Sequence, residues 1–120
     1  DLAFLTGFYL GCAYWLILVV LDGLITGAAA LAAVKLCPAV ADYLLASHVS
    51  AEPAGQAVLA SLGLKAAIQA GMCLGEGTGA AAFFPMLDMA LTIYSKMDTF
   101  QDIQVKPYCH FEEDKNEDKE

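Results

Sequence analysis

Leu16-Ile17-Leu18-Val19-Val20-Leu21-Asp22-Gly23 decides the fold of this chain. Six consecutive aliphatic residues, partly β-branched, stop at Asp-Gly, which is the pattern of a short strand buried on both faces of a parallel sheet. Residues 25–36 follow as an alanine-rich helix, with Lys35 near its end and Pro38 just beyond to stop it. Residues 42–46 offer a second short strand. Strand, helix, strand in this order predicts an α/β layer, a partial Rossmann-like parallel sheet with few short strands and predominantly helical content.

Upstream, residues 2–14 are helix-compatible, and Gly7, Gly11 and Ala13 would let that helix pack closely. Residues 2–21 are an uncharged run long enough to span a bilayer, and Gly7 and Gly11 form a GxxxG pair. Gly7, Gly11, Tyr9, Tyr14 and Trp15 dilute the run, and no Lys or Arg flanks it to anchor a span. A helix followed by a buried strand is the expected reading, with a small membrane protein as the rival.

Downstream, the polar loop Ser47-His48-Val49-Ser50-Ala51-Glu52-Pro53 leads into a helix over residues 53–62, with Ser50 or Glu52 near its start and Gly63 at its stop. A further short helix is expected over residues 64–70. The glycine-rich stretch Leu74-Gly75-Glu76-Gly77-Thr78-Gly79 then places one carboxylate between glycines in apolar surroundings. Held partly away from water and open to a ligand, Glu76 could act as a general base. The same residues also read as a plain helix entry with a solvated Glu. Thr78 could cap the helix that follows, Pro85 should break or kink it, and residues 86–97, apolar on most faces, should be buried.

Open α/β sheets bind ligands beyond the carboxyl ends of their strands. Two such ends are Asp22-Gly23 and residues 47–50, each followed by a helix whose free N–H groups suit a phosphate.

Composition bounds the rest. The 120 residues make one domain or less, and their 58% apolar content calls for a large core or for apolar surface meant for a partner. Six lysines, no arginine and fourteen acids give a net charge of -8, which argues against nucleic acid. About half of that charge lies in residues 112–120, so residues 106–120 are expected to be an acidic, disordered tail after a domain over residues 1–105. Cys12, Cys37, Cys73 and Cys109 are widely spaced, with neither zinc-site nor disulfide spacing, so reduced thiols in a cytoplasmic protein are predicted. Cys12 and Cys37 should be buried. The chain opens on Asp without a basic n-region and reads as a piece of something longer.

The three segments around Asp22-Gly23, Ser47–Pro53 and Leu74–Ala81, in this order and spacing, resemble the C-terminal part of the nicotinate-nucleotide:dimethylbenzimidazole phosphoribosyltransferase family. The likeness continues through Pro85-Met86-Leu87-Asp88 to Met97-Asp98-Thr99-Phe100 and covers residues 1 to about 105. It implies transfer of the phosphoribosyl group of nicotinate mononucleotide to dimethylbenzimidazole, giving the α-ribotide of cobalamin's lower ligand. It also implies Glu76 as the general base, and Gly23 and Ser50 at the nucleotide phosphate with Gly75 and Gly77 alongside. No metal or other cofactor is implied. Asp22 could orient the loop, touch ribose, or serve as an ion-pair or cap residue; His48 reads as loop structure and Glu52 as a helix N-terminal carboxylate. Three features depart from the family pattern: Cys73 stands where the family usually has a basic residue, the segment before the first helix does not show the family's glycine pair and following acid, and the N-terminal half is not represented. The resemblance therefore leaves an alternative, a nucleotide- or base-binding remnant without turnover, and implies either homodimerisation or association with the missing half. The isolated chain should be poorly soluble.

Overall fold

The computed structural model describes residues 1–99 and 101–106. Its elements run α1 (Leu2–Tyr14), β1 (Val19–Leu21), α2 (Leu24–Leu36), a 3-10 segment (Pro38–Tyr43), β2 (Leu44–Ala46), α3 (Gly55–Leu62) and α4 (Thr78–Lys96). This is a mostly helical chain with a small parallel sheet, a partial Rossmann-like α/β fold. The chain divides into two compact units, Asp1–Asp88 and Met89–Glu120.

In the first unit β1 and β2 pair in parallel, Val19 opposite Leu44, Val20 opposite Leu45 and Leu21 opposite Ala46. Parallel pairing requires a crossover, and α2 with the 3-10 segment supplies it. Both strands therefore end on the same edge, and Asp22-Gly23 and residues 47–50 leave the sheet side by side.

Small residues set the packing distances. Ala29, Ala30 and Ala33 of α2 are fully buried and sit in one core with Tyr9, Leu21, Val40, Leu44 and Leu62. Thr6 of α1 donates its hydroxyl to the carbonyl of Ala29 at 3.2 Å, tying the two helices at their contact. A Cβ at Gly27 would lie 2.9 Å from Val58 Cγ1, so the approach of α2 to α3 depends on the missing side chain. Gly63, in the left-handed region with φ 69°, ends α3 as expected.

Several expectations are corrected. The aliphatic run is strand only over its second half: Leu16 turns with φ 59°, and Leu16, Ile17 and Leu18 are exposed. β1 is only partly buried, with Leu21 enclosed and Val19 and Val20 half-buried, in a sheet of two strands among the described residues. Residues 64–70 are not helical. Ile68 instead forms a parallel bridge with His48, its N–H donating to Ser47 O and its carbonyl accepting from Val49 N, both at 3.0 Å. α3 begins at Gly55, not residue 53, without a side-chain cap. α4 runs through Pro85 without a break, at the loss of one i to i−4 hydrogen bond. Cys37 is exposed, while Cys12 is buried. Phe84 and Met86 are exposed.

In the second unit Leu91, Ile93 and Tyr94 are exposed, so residues 86–97 do not form a buried helix. An apolar pattern states what a helix could bury, not what the chain supplies to cover it. After α4 the Asp102 carboxylate accepts from Thr99 N at 2.8 Å and Thr99 Oγ1 at 2.6 Å. Those bonds hold it below the usual carboxylate range. Phe100 of the Met-x-Thr-Phe ending, Cys109 and residues 107–120 of the acidic tail lie outside the described residues. No helix among the described residues is long and apolar enough to cross a membrane.

Candidate active site

At the edge where both strands end lies a cavity of about 520 Å³. Every site residue singled out from the sequence lines it: Asp22, Gly23, Ser50, Gly75, Glu76 and Gly77. Three chain segments contribute, and one side chain binds the first to the third. Asp22 Oδ1 accepts from Gly79 N at 2.8 Å and Ala80 N at 3.1 Å, and Oδ2 accepts from Gly77 N at 3.1 Å. Those amides open α4, where a helix has unpaired N–H donors and favours negative charge. Asp22 thus caps a helix that begins more than fifty residues later, and of the roles open to it the structure gives it the loop-orienting and capping one.

The backbone amides at this edge are engaged differently from expectation. Gly23 N donates to Thr26 Oγ1 at 3.0 Å, as does Asp22 N at 3.0 Å, and the same hydroxyl donates to Gly23 O at 2.8 Å. Gly23 therefore serves as the N-cap residue of α2, and the first-turn amides that follow it, those of Leu24, Ile25 and Thr26, have no carbonyl four residues back within the helix. All three residues line the cavity.

Ser50 is buried, and its hydroxyl donates to Glu52 Oε2 at 3.1 Å while accepting from Glu52 N at 3.3 Å. The flanking amides of Val49 and Ala51 donate to Ile68 O and Met72 O, each at 3.0 Å. Glu52 thus holds Ser50 in place and does not cap α3.

The glycine loop presents Glu76. Gly75, Glu76 and Gly77 have φ of 75°, 55° and 78°, three successive residues in the left-handed region. Gly tolerates that region freely, and Glu does so only with strain. Glu76 is exposed, not drawn partly out of water as its apolar sequence neighbours suggested. Thr78 Oγ1 donates to Gly75 O at 2.8 Å, closing the turn.

His48, which reads as loop structure in the sequence, belongs to the site. It is 5% exposed and lines the cavity. A Cβ at Gly79 would overlap its ring, and one at Gly23 would stand 3.9 Å from its Cε1. The signal available in the sequence was position: His48 follows the strand at its carboxyl end and can meet glycines from both other loops. Among the described residues no Lys lines the cavity, and no cluster of His, Cys, Asp and Glu could hold a metal ion.

A cavity at the carboxyl edge of a parallel βαβ unit, with helix-start amides and a carboxylate on a glycine loop in its lining, is suited in its chemistry to an anionic ligand. The model of the phosphoribosyltransferase family matches residues 1–105. The nicotinate-nucleotide–dimethylbenzimidazole phosphoribosyltransferase of Clostridium acetobutylicum is 44% identical over 108 residues, 90% of this chain and 31% of that protein. The enzyme of the same name from Chlorobium chlorochromatii is 47% identical over 105 residues, 88% of this chain and 30% of that one. The crystal structure of the Thermus thermophilus enzyme superimposes with a TM-score of 0.82 at 38% identity, covering 90% of this chain and 32% of the other. The chain belongs to the nicotinate-nucleotide–dimethylbenzimidazole phosphoribosyltransferase family, and it spans about a third of the length of the relatives it matches.

Proposed function

We propose that this chain carries the nucleotide-binding edge and the general base of an enzyme that moves the phosphoribosyl group of nicotinate mononucleotide to 5,6-dimethylbenzimidazole, in cobalamin nucleotide-loop assembly in the cytoplasm. The observation that carries the reading is the single cavity shared by Glu76, the first turn of α2 and Ser50. One benzimidazole nitrogen attacks the anomeric carbon while the bond from that carbon to nicotinate breaks, its electron pair leaving with the pyridine nitrogen. The second benzimidazole nitrogen gives its proton to the Glu76 carboxylate. The products are α-ribazole 5′-phosphate and nicotinate. The negative charge of Glu76 also favours the positive charge that develops in the transition state. The amides of Leu24, Ile25, Thr26 and Ser50 hold the phosphate, with Gly75 and Gly77 shaping the loop beside it.

A second reading is a nucleotide- or base-binding remnant without turnover, favoured by the exposure of Glu76. Phe4, Phe8, Tyr14 and Trp15, all more than half exposed, support association through α1, as a homodimer or with the remainder of a longer enzyme. The deciding experiment incubates the chain with nicotinate mononucleotide and dimethylbenzimidazole and searches for the ribotide by mass spectrometry. Ribotide formation eliminates the remnant; nucleotide binding without product eliminates the transferase reading for this chain.

A further inference from the structure

His48 has one nitrogen committed to the protein and one left over. Its Nδ1 stands 3.0 Å from Ser47 Oγ. Ser47 is fully buried, and its hydroxyl donates to Leu21 O at 2.6 Å, with Asp22 O a weaker second acceptor at 3.3 Å. A serine hydroxyl has a single proton. With that proton directed to the end of β1, Oγ can only accept from the imidazole, so Nδ1 carries the hydrogen and Nε2 of the neutral ring carries a lone pair.

Gly79 backs against the ring, and Gly23 lies near its Cε1–Nε2 edge. Among the described residues Nε2 has no hydrogen-bond partner, and no side-chain polar atom is both unpartnered and fully enclosed. Nε2 is therefore reachable, on a residue that is 5% exposed and lines the cavity. A fixed acceptor in a cavity wall selects a donor. A phosphate at neutral pH offers few or no protons, whereas a sugar hydroxyl offers one. The Gly23 edge is also where α2 begins, so a ribose tethered to a phosphate at those amides reaches His48 through its own covalent frame.

We propose that His48 is a ligand-binding residue of this cavity, its Nε2 accepting a hydrogen bond from a ribose hydroxyl of the phosphoribosyl group. This rests on the phosphoribosyl reading of the site. The test is calorimetric titration of the chain with ribose 5-phosphate and, separately, inorganic phosphate, for the wild type, His48→Asn and His48→Gln. The Asn amide can mimic Nδ1 and keep the bond to Ser47 while losing the cavity-facing acceptor; the Gln carbonyl can reach the place of Nε2. We expect His48→Asn to weaken ribose 5-phosphate binding roughly tenfold, leave inorganic phosphate unchanged, and be rescued in large part by His48→Gln. Equal affinity of wild type and His48→Asn for ribose 5-phosphate overturns the role of His48 while the phosphoribosyl reading stands; no binding of ribose 5-phosphate to the wild type overturns both. Nitrogen NMR of the His48 ring at pH about 8.5, above the ordinary imidazole range, reads the tautomer without any variant. A proton on Nδ1 supports the proposal, and a proton on Nε2 overturns it.

Discussion

The two carboxylates at the cavity, Asp22 and Glu76, have opposite fates. Asp22 accepts three backbone amides from the start of α4, and its geometry is fixed by the fold. Glu76 is exposed on a loop whose backbone is held in an unusual conformation. The difference sets a structural carboxylate, with three of its roughly four acceptor sites taken by backbone amides, against one that faces solvent on a strained loop. A capping acid and a solvent-facing acid look alike in a sequence, and their hydrogen bonds tell them apart.

Substitutions at the two positions should therefore separate activity from stability. Glu76→Gln keeps the side-chain shape but cannot take a proton, so ribotide formation should fall by about 100-fold or more with nucleotide affinity and melting temperature unchanged; retained turnover would remove Glu76 as the base. Asp22→Ala should do the reverse in kind, destabilising the chain by about 2–3 kcal/mol through the loss of charge-assisted bonds to backbone amides. Urea unfolding measures this, and an effect within a few tenths of a kcal/mol would show that the cap does not hold the loop. Gly79→Ala forces a methyl into the His48 ring and should cost about 1–2 kcal/mol by overpacking, read as a lowered melting temperature. An unchanged midpoint would mean that the loop and His48 do not touch.

The smallest effect lies away from the site and acts as a control. Burial of Tyr9, and then the nearby Cys12, raises its pKa above the ordinary value of 10.0. The folded chain holds that proton to higher pH than the unfolded one, so the stabilisation is fully present below about pH 10 and is lost as pH rises through the folded value. Urea midpoints should decline more steeply above about pH 10 in the wild type than in Tyr9→Phe. Parallel declines would remove Tyr9 as the cause.

Much of this was legible in the sequence because local chemistry fixed it. Asp22-Gly23 ended a strand, Pro38 and Gly63 ended helices, and the order strand, helix, strand gave the parallel pair and its shared edge. From that edge the segments that line the cavity could be named. What was not legible depended on partners distant in sequence. The run from Leu16 to Leu21 reads as continuous strand by hydropathy, yet its first three residues stay outside the strand, because strand length is set by what pairs with it and β2 offers only three residues. Residues 64–70 have helix-forming composition but are held extended by the bonds of Ile68 to Ser47 and Val49. Gly23 was expected to offer its own N–H to a phosphate; Thr26, one turn on, takes it. His48 gave no motif at all, and its importance comes from Ser47 on one side and Gly79 on another.

An amide NMR titration of the chain with nicotinate mononucleotide tests most directly whether one cavity serves both functions. A shared cavity predicts coincident shifts at Leu24, Ile25, Thr26 and Ser50 together with Gly75 to Gly77, saturating along one binding curve. Shifts confined to other surfaces, or separate curves for the α2 turn and the glycine loop, would contradict a single substrate cavity shared by Glu76 and the phosphate-binding amides.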